Sequence, residues 1–297
     1  MITLAHLSDI HLAPLPRIRV RDLLNKRLTG YLNWRLERHN SLDGVGLAAL
    51  IAHLHEQHAD FTAVTGDLVN LALEEEIAVA AGWLKGIGPP EKVCVSPGNH
   101  DAYLPGTLTQ ACGYWDDYVS GEAIDAHVFP FVRRIGEVAV ISCCSAVPTP
   151  PFFSSGRFDP DQAARLARIL DLLGEADYFR IVLIHHPPDA SAEKRRSGLR
   201  GARLFREVIA ETGAEMVLHG HTHRATINAI PGPRSEVPVI GVAAAGTAQH
   251  AKPDDDPARY NLFRIERTET GWTCNMAAFG FRPTDGEIGL LMQARIY

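Results

Sequence analysis

The chain lacks any apolar run near the ~18 residues that a membrane-crossing helix needs, so no such helix is expected. Its first residues, Met1-Ile2-Thr3-Leu4-Ala5-His6, carry no basic start and no long apolar segment, and no signal peptide is expected. Cysteine is scarce: five residues, an odd number, with no Cys-x-x-Cys. That argues against a disulfide framework and a closed cysteine zinc site. Cys94, Cys143 and Cys144 lie in apolar runs and read as buried free thiols, so a reducing, cytoplasmic setting is expected. An excess of positive charge is missing too. Lys and Arg number 29 against 35 Asp and Glu, a formal net charge of -6. A broad duplex nucleic-acid footprint would need the opposite balance. A small anionic substrate would not, because bound metal ions invert the local field. Repeats, low-complexity tracts and linkers are absent, and the 297 residues read as one domain, 1–297.

What is present is a series of short apolar runs separated by helical patterns. Ile2 to Ser8, Phe61 to Thr65, Lys92 to Ser96, Arg180 to Ile184 and Glu215 to Leu218 read as strands. Leu47, Leu50, Ile51 and Leu54 repeat at helical spacing, with Asp43 as the expected cap. Leu73 to Leu84 reads as a helix whose first turn holds Glu74 to Glu76, where acid suits the dipole. Further helices are expected at Thr107 to Val119, around Leu166, Ile169, Leu170 and Leu173, and at Leu204 to Ile209. Val128 to Ile135 and Val138 to Cys143 form a hairpin pattern turning at Gly136-Glu137. Thr226 to Ile230, Val237 to Val242, Tyr260 to Glu266 and Trp272 to Phe279 read as antiparallel strands completing a second sheet. Phe279, Phe281, Leu290, Leu291 and Met292 read as core.

The segment Arg17 to Arg38 departs from this pattern. It carries Arg17, Arg19, Arg21, Lys26, Arg27, Arg35 and Arg38 against Asp22 and Glu37, with Leu24, Leu28, Tyr31, Leu32 and Leu36 at roughly helical spacing. One reading is a surface helix packed on the domain. The other is a basic helical insert, 12–42, that caps the site or makes a peripheral contact with an anionic membrane.

Polar chemistry collects at the ends of the strands, which is how an α/β fold builds a site at one sheet edge. Asp9 and His11 follow the first strand at a spacing that turns both side chains the same way, toward one metal ion. Asp67 closes the second strand. Pro97-Gly98-Asn99-His100-Asp101 follows the third, a glycine turn and then three groups that bind metal or move protons. His185 closes a later strand, with His186 beside it. His219, His221 and His223 alternate and are expected on one strand face. Carboxylate, amide oxygen and imidazole together suit Mn, Fe, Zn or Co. Singly, each residue also reads as a turn former, a cap or a packed histidine; the combination carries the argument.

Five blocks stand in order over residues 9 to 223: Asp9-Ile10-His11, Gly66-Asp67-Leu68-Val69-Asn70, Gly98-Asn99-His100-Asp101, His185, and Gly220-His221-Thr222-His223. Together they resemble the pattern of the calcineurin-like metallophosphoesterases. The resemblance implies an α/β fold of four layers, αββα, with two mixed β-sheets flanked by helices. It implies two divalent transition metal ions, with Mn or an Fe/Mn pair favoured. One ion would take Asp9, His11, Asp67 and His223, the other Asp67, Asn99, His185 and His221, with Asp67 bridging. His100 would contact the substrate phosphate and Asp101 would orient it. In-line attack by a hydroxide between the ions would follow, with His100 protonating the leaving group. His186 and His219 are expected behind the ligands, and His250 has no assigned role.

The layout resembles the bacterial branch acting on cyclic nucleotides and small phosphodiesters, so a small phosphodiester is the expected substrate. The Arg17 to Arg38 segment keeps open a UDP-diacylglucosamine pyrophosphatase-like hydrolase at the membrane surface. A non-catalytic scaffold of the same fold is the reading from outside enzymology. A homodimer is expected only because such symmetry is common.

Overall fold

Short runs of aliphatic and aromatic residues, buried on both sides, pair into two six-stranded sheets. The computed structural model describes residues 1–38, 44–126, 128–189, 195–247 and 256–297. In chain order the strands begin with β1 (Ile2–Leu7), β2 (Phe61–Val64), β3 (Val93–Val95), β4 (Phe131–Ile135) and β5 (Val138–Ser142). They continue with β6 (Gly156–Arg157), β7 (Phe179–Leu183), β8 (Leu199–Arg200), β9 (Met216–His219) and β10 (Thr226–Pro231). The last four are β11 (Glu236–Gly241), β12 (Arg259–Thr268), β13 (Gly271–Phe281) and β14 (Ile288–Arg295). The helices are α1 (Arg27–Asn33), α2 (Gly44–Glu56), α3 (Glu74–Ile87), α4 (Thr107–Trp115), α5 (Pro160–Glu175) and α6 (Ala202–Thr212).

The first sheet runs β14-β13-β12-β1-β2-β3, and the second β10-β11-β9-β7-β5-β4. Both are mixed. β1, β2 and β3 are parallel, as are β5, β7, β9 and β11, and the outer strands are antiparallel. Side-chain alternation explains the layering. Leu4, Phe61, Ala63 and Cys94 of the first sheet meet Val140, Ile181, Leu183 and Leu218 of the second in one buried cluster. Ala5, Leu7, Val64 and Val95 face the other way, onto α2, α3 and α4. Val182, Val217 and Val239 face α5 and α6. The result is four layers, helix on sheet on sheet on helix. Asp159 caps α5 by accepting from the Gln162 amide at 2.9 Å. The β4–β5 hairpin turns at Gly136, whose φ is +57°.

The structure corrects several expectations. β12 and β13 do not complete the second sheet. β12 pairs with β1, Ile2 opposite Ile265, and so extends the first sheet. Only β10 and β11 join the second. β14 is an edge strand, and Leu290 on it is exposed rather than core. Gly156–Arg157, where no strand was expected, forms β6, which pairs with β8. Asp43 and His250 lie outside the described residues.

α1 reverses the usual amphipathic arrangement. Its inner face is held by polar groups and by a glycine. Arg27 donates to the Leu71 carbonyl at 2.9 Å and to the Ala72 carbonyl, and Lys26 just before the helix donates to Thr149 Oγ1 at 2.7 Å. Gly30 lies so close to Tyr103 that a Cβ there would come within 1.9 Å of the phenol oxygen. Leu24, Leu28, Leu32 and Leu36 point outward and are exposed. Of the five apolar residues at that spacing, Tyr31 packs against the core and the four leucines do not. No helix among the described residues is long and apolar enough to cross a membrane.

Candidate metal centre

The candidate ligands sit past the C-terminal ends of β1, β2 and β3 in one sheet and of β7 and β9 in the other. Strand alternation is not what aims them. β1 ends at Leu7 and β9 at His219, so Asp9, His11, His221 and His223 all lie in loops. These four and Asp67 have left-handed backbones, with φ between 45° and 69°. Asp and His tolerate that region better than bulkier residues do, and such strain gathers at functional sites. The expectation that His219, His221 and His223 share a strand face is therefore corrected: the chain turns after His219.

The turns bring two overlapping donor sets together. Ligand atoms of Asp9, His11 and His223 lie within 4.8 Å of one another, as do those of Asp9, Asp67 and His185. Asp67 Oδ2 lies 3.4 Å from His185 Nε2 and 3.9 Å from His11 Nε2, between the two sets. His223 Nε2 is 3.2 Å from Asp9 Oδ1, and Asn99 Oδ1 is 3.3 Å from His185 Nε2. His221 stands beside His185, ring centroids 5.2 Å apart. Small residues allow this crowding. A Cβ on Gly98 would come within 2.2 Å of Asp67 Oδ1, and one on Gly220 within 2.6 Å of Asp9 Oδ2.

Hydrogen bonding fixes which nitrogen of each ring faces inward. His185 Nδ1 donates to the Thr65 carbonyl at 2.5 Å, which leaves the neutral ring's lone pair on Nε2. That lone pair faces the acceptor oxygens of Asp67 and Asn99. His11 Nδ1 donates to the Val69 carbonyl at 3.2 Å, so its Nε2 lone pair turns toward His223. His221 Nε2 donates to the Ser197 carbonyl at 2.8 Å, freeing Nδ1. Asp9 Oδ1 is buried with no hydrogen-bond donor. Lone pairs converging on shared points are mutually repulsive unless a cation lies between them. The donor set therefore fits divalent ions. Burial alone would lower His185, but the Asp67 and Asp9 carboxylates outweigh it and push the ring up to about 9. Burial lowers His221 to about 4, with His185 adding to the effect.

His100 stands edge-on to His11, ring centroids 4.8 Å apart, and one of its ring nitrogens lies within 4.8 Å of ligand atoms of His11 and Asp67. Its Nδ1 donates to the Asn70 carbonyl at 2.5 Å and its backbone amide to Asp67 Oδ1 at 2.7 Å. It lines a cavity of ≈ 350 Å³ together with Lys26, Trp34, Tyr103, Phe152 and Phe153.

Asp101 does not orient the His100 ring. Its carboxylate accepts from the amides of Asp67, Leu68, Val69 and Gly98, at 2.8–3.4 Å. Glu76 does the same for the next residues, accepting from Asn70, Leu71 and Leu73. Two buried carboxylates thus bind the amides of residues 67 to 71 and of Leu73, so the loop's carbonyls face outward to His11, His100 and Arg27. Sequence reasoning assigned Glu76 only to the helix dipole; nothing in Glu74-Glu75-Glu76 marks which of the three folds back.

His186 uses both ring nitrogens, with Ser145 Oγ at 2.8 Å and the Ser154 carbonyl at 2.9 Å, so it supports the site without offering it a lone pair. His219 is likewise engaged, with the Gly220 carbonyl and Thr226.

A family model described as Calcineurin-like phosphoesterase matches residues 2–225. No curated protein matches the sequence significantly. A dimetal phosphatase from Danio rerio is similar in structure, with a TM-score of 0.63 at 10% identity over 99% of this chain and 98% of that one. A purple acid phosphatase from yellow lupin (Lupinus luteus) seeds gives 0.55 at 12% identity, over 98% of this chain and 53% of that one. At such identities the likeness is one of fold.

Proposed function

The chain belongs to the calcineurin-like phosphoesterase family and is a metal-dependent phosphoester hydrolase, and from that premise we propose that it cleaves small phosphodiesters, cyclic nucleotides among them. The observation that supports this reading is the fixed ring of His100. Its Nδ1 is committed to the Asn70 carbonyl, so Nε2 is the edge that reaches a substrate. Any phosphoester of an alcohol expels an alkoxide, which needs a proton as it leaves, and a diester needs room for a second organic group as well. The cavity beyond His100 gives that group room.

Divalent ions held by Asp9, His11, Asp67, Asn99, His185, His221 and His223 would neutralise the phosphate's charge and supply an activated water. Mn or an Fe/Mn pair suits this mixed oxygen and nitrogen set. The chain's own part is positional. Asp67 stands between the donor sets and takes the His100 amide, which ties His100 to a residue that would hold the ions. His100 hydrogen-bonds a phosphoryl oxygen in the ground state and passes the Nε2 proton to the leaving oxygen. The Asn70 carbonyl keeps a proton on Nδ1, so Nε2 carries the proton it passes only when the ring has taken up a second one. All five cysteines are free and three are buried, which supports a reducing compartment.

A second reading is hydrolysis of a nucleotide-linked lipid such as UDP-diacylglucosamine. It is favoured by the aromatic groups Trp34, Phe152 and Phe153 on the cavity wall.

Metal-depleted protein reloaded separately with Mn, Fe, Zn or Co tests both. An aryl phosphodiester, an aryl monoester, 2′,3′- and 3′,5′-cyclic nucleotides and a UDP-linked lipid are compared, with metal content measured in parallel. The expected result is preference for a diester at two metals per chain. Preference for the monoester overturns the proposal, and cleavage confined to the lipid selects the second reading. His100→Asn is expected to keep its metal and lose ~10²–10⁴-fold in turnover.

A further inference from the structure

The outward face of residues 20 to 36 carries Val20, Leu24, Leu28, Leu32 and Leu36, one at every fourth position, 46–81% exposed. The segment is not loosely attached. Arg27, Lys26 and Gly30 fix its inner face against Leu71, Ala72, Thr149 and Tyr103. Polar groups hold it down and leucines are left outside, the reverse of what water favours.

Charge identifies what covers this face. Residues 17 to 38 hold seven basic side chains against two acidic ones, in a chain of net charge -6. Arg17, Arg19, Arg21 and Arg35 are exposed in the same segment, the first three around a pocket that Glu74 and Glu75 also line. A second copy would bring the same positive charge against itself. A bilayer with anionic headgroups offers aliphatic chains to the leucines and counter-charge to the arginines at once.

We propose that residues 17 to 38 are a docking surface for an anionic lipid bilayer. The inner side of the same helix lines the cavity that holds His100, so docking sets that cavity beside the membrane surface. The inference does not depend on which phosphoester is cleaved.

The test is co-sedimentation of the full chain with vesicles of phosphatidylcholine alone and of phosphatidylcholine mixed with phosphatidylglycerol. Binding is expected only to the mixed vesicles and weakens with salt. Leu24→Ser combined with Leu28→Ser lowers the partition at least about tenfold, and Arg19→Gln with Arg21→Gln by roughly fivefold for each arginine. Hydrolysis of a soluble aryl phosphodiester by the leucine variant stays at the unmodified level, so failure to dock and failure to react are read separately. No sedimentation with mixed vesicles overturns the proposal. So does equal binding by the leucine variant, or a dimer in solution that this variant dissociates while vesicles bind neither protein.

Discussion

At the scale of single residues, protonation is the readable property of this site. His6 is lowered to about 3 and His221 to about 4 by burial, and His186 and His219 are lowered in the same way. Below the ordinary value of 6.5 the unfolded chain binds protons that these folded rings refuse, so stability falls as pH drops. Asp101 and Glu76, raised by burial, pull the other way, two groups against four. His185 is opposite in sign. Raised to about 9, its contribution is complete below 6.5 and is lost as pH climbs through 9. Metal-free protein should therefore be most stable near pH 6.5, with slopes of up to ~1.4 kcal/mol per pH unit for each titrating ring. Urea unfolding across pH measures this. Metal should remove the alkaline limb, because the ion replaces the His185 proton. Stability of metal-free protein that keeps rising between pH 6.5 and 9 would contradict the assignment. The residues of the centre were legible as a set. The left-handed backbone at Asp9, His11, Asp67, His221 and His223 was not, because Asp and His tolerate that region without announcing it.

At the scale of elements, the loop from Asp67 to Leu73 behaves as one part held by two carboxylates. Glu76→Gln turns an amide group toward backbone N–H donors and should cost ~1–3 kcal/mol. Turnover should fall with it while metal content holds, since the Asn70 carbonyl is what steadies His100. Asp101→Asn should lose metal as well, because its four amide partners include that of Asp67 itself. Metal analysis and unfolding of the two variants side by side separate these outcomes. Gly220→Ala would place a Cβ 1.7 Å from Ser8 Oγ; the expected result is ~1–3 kcal/mol of overpacking and weaker metal binding, seen by calorimetric titration. Strands and most helices were legible because burial on both sides leaves unbroken apolar runs. The facing of α1 was hidden, since periodicity marks an apolar stripe but not whether the stripe packs. The role of Asp101 was hidden as well, because its partners are backbone amides, which every sequence has.

At the scale of the molecule, the sheet partner of β12 was the least legible feature. The register of Ile2 with Ile265 spans most of the chain, and local pattern carries no record of it. Deleting residues 259–297 leaves every candidate ligand in place yet strips β1 of one neighbour. Such a protein should fail to fold cooperatively, which circular dichroism and metal binding would show. The same pairing orders events during synthesis. β1 is made before β12 and waits for it, about 10–50 s at ordinary elongation rates. The second sheet, complete at Gly241, can assemble during that wait. Asp9 and His11 are thus made before the other donors and are held by the Gly66 and Asp67 carbonyls, while β1 gains its β12 neighbour only after His223 has been made.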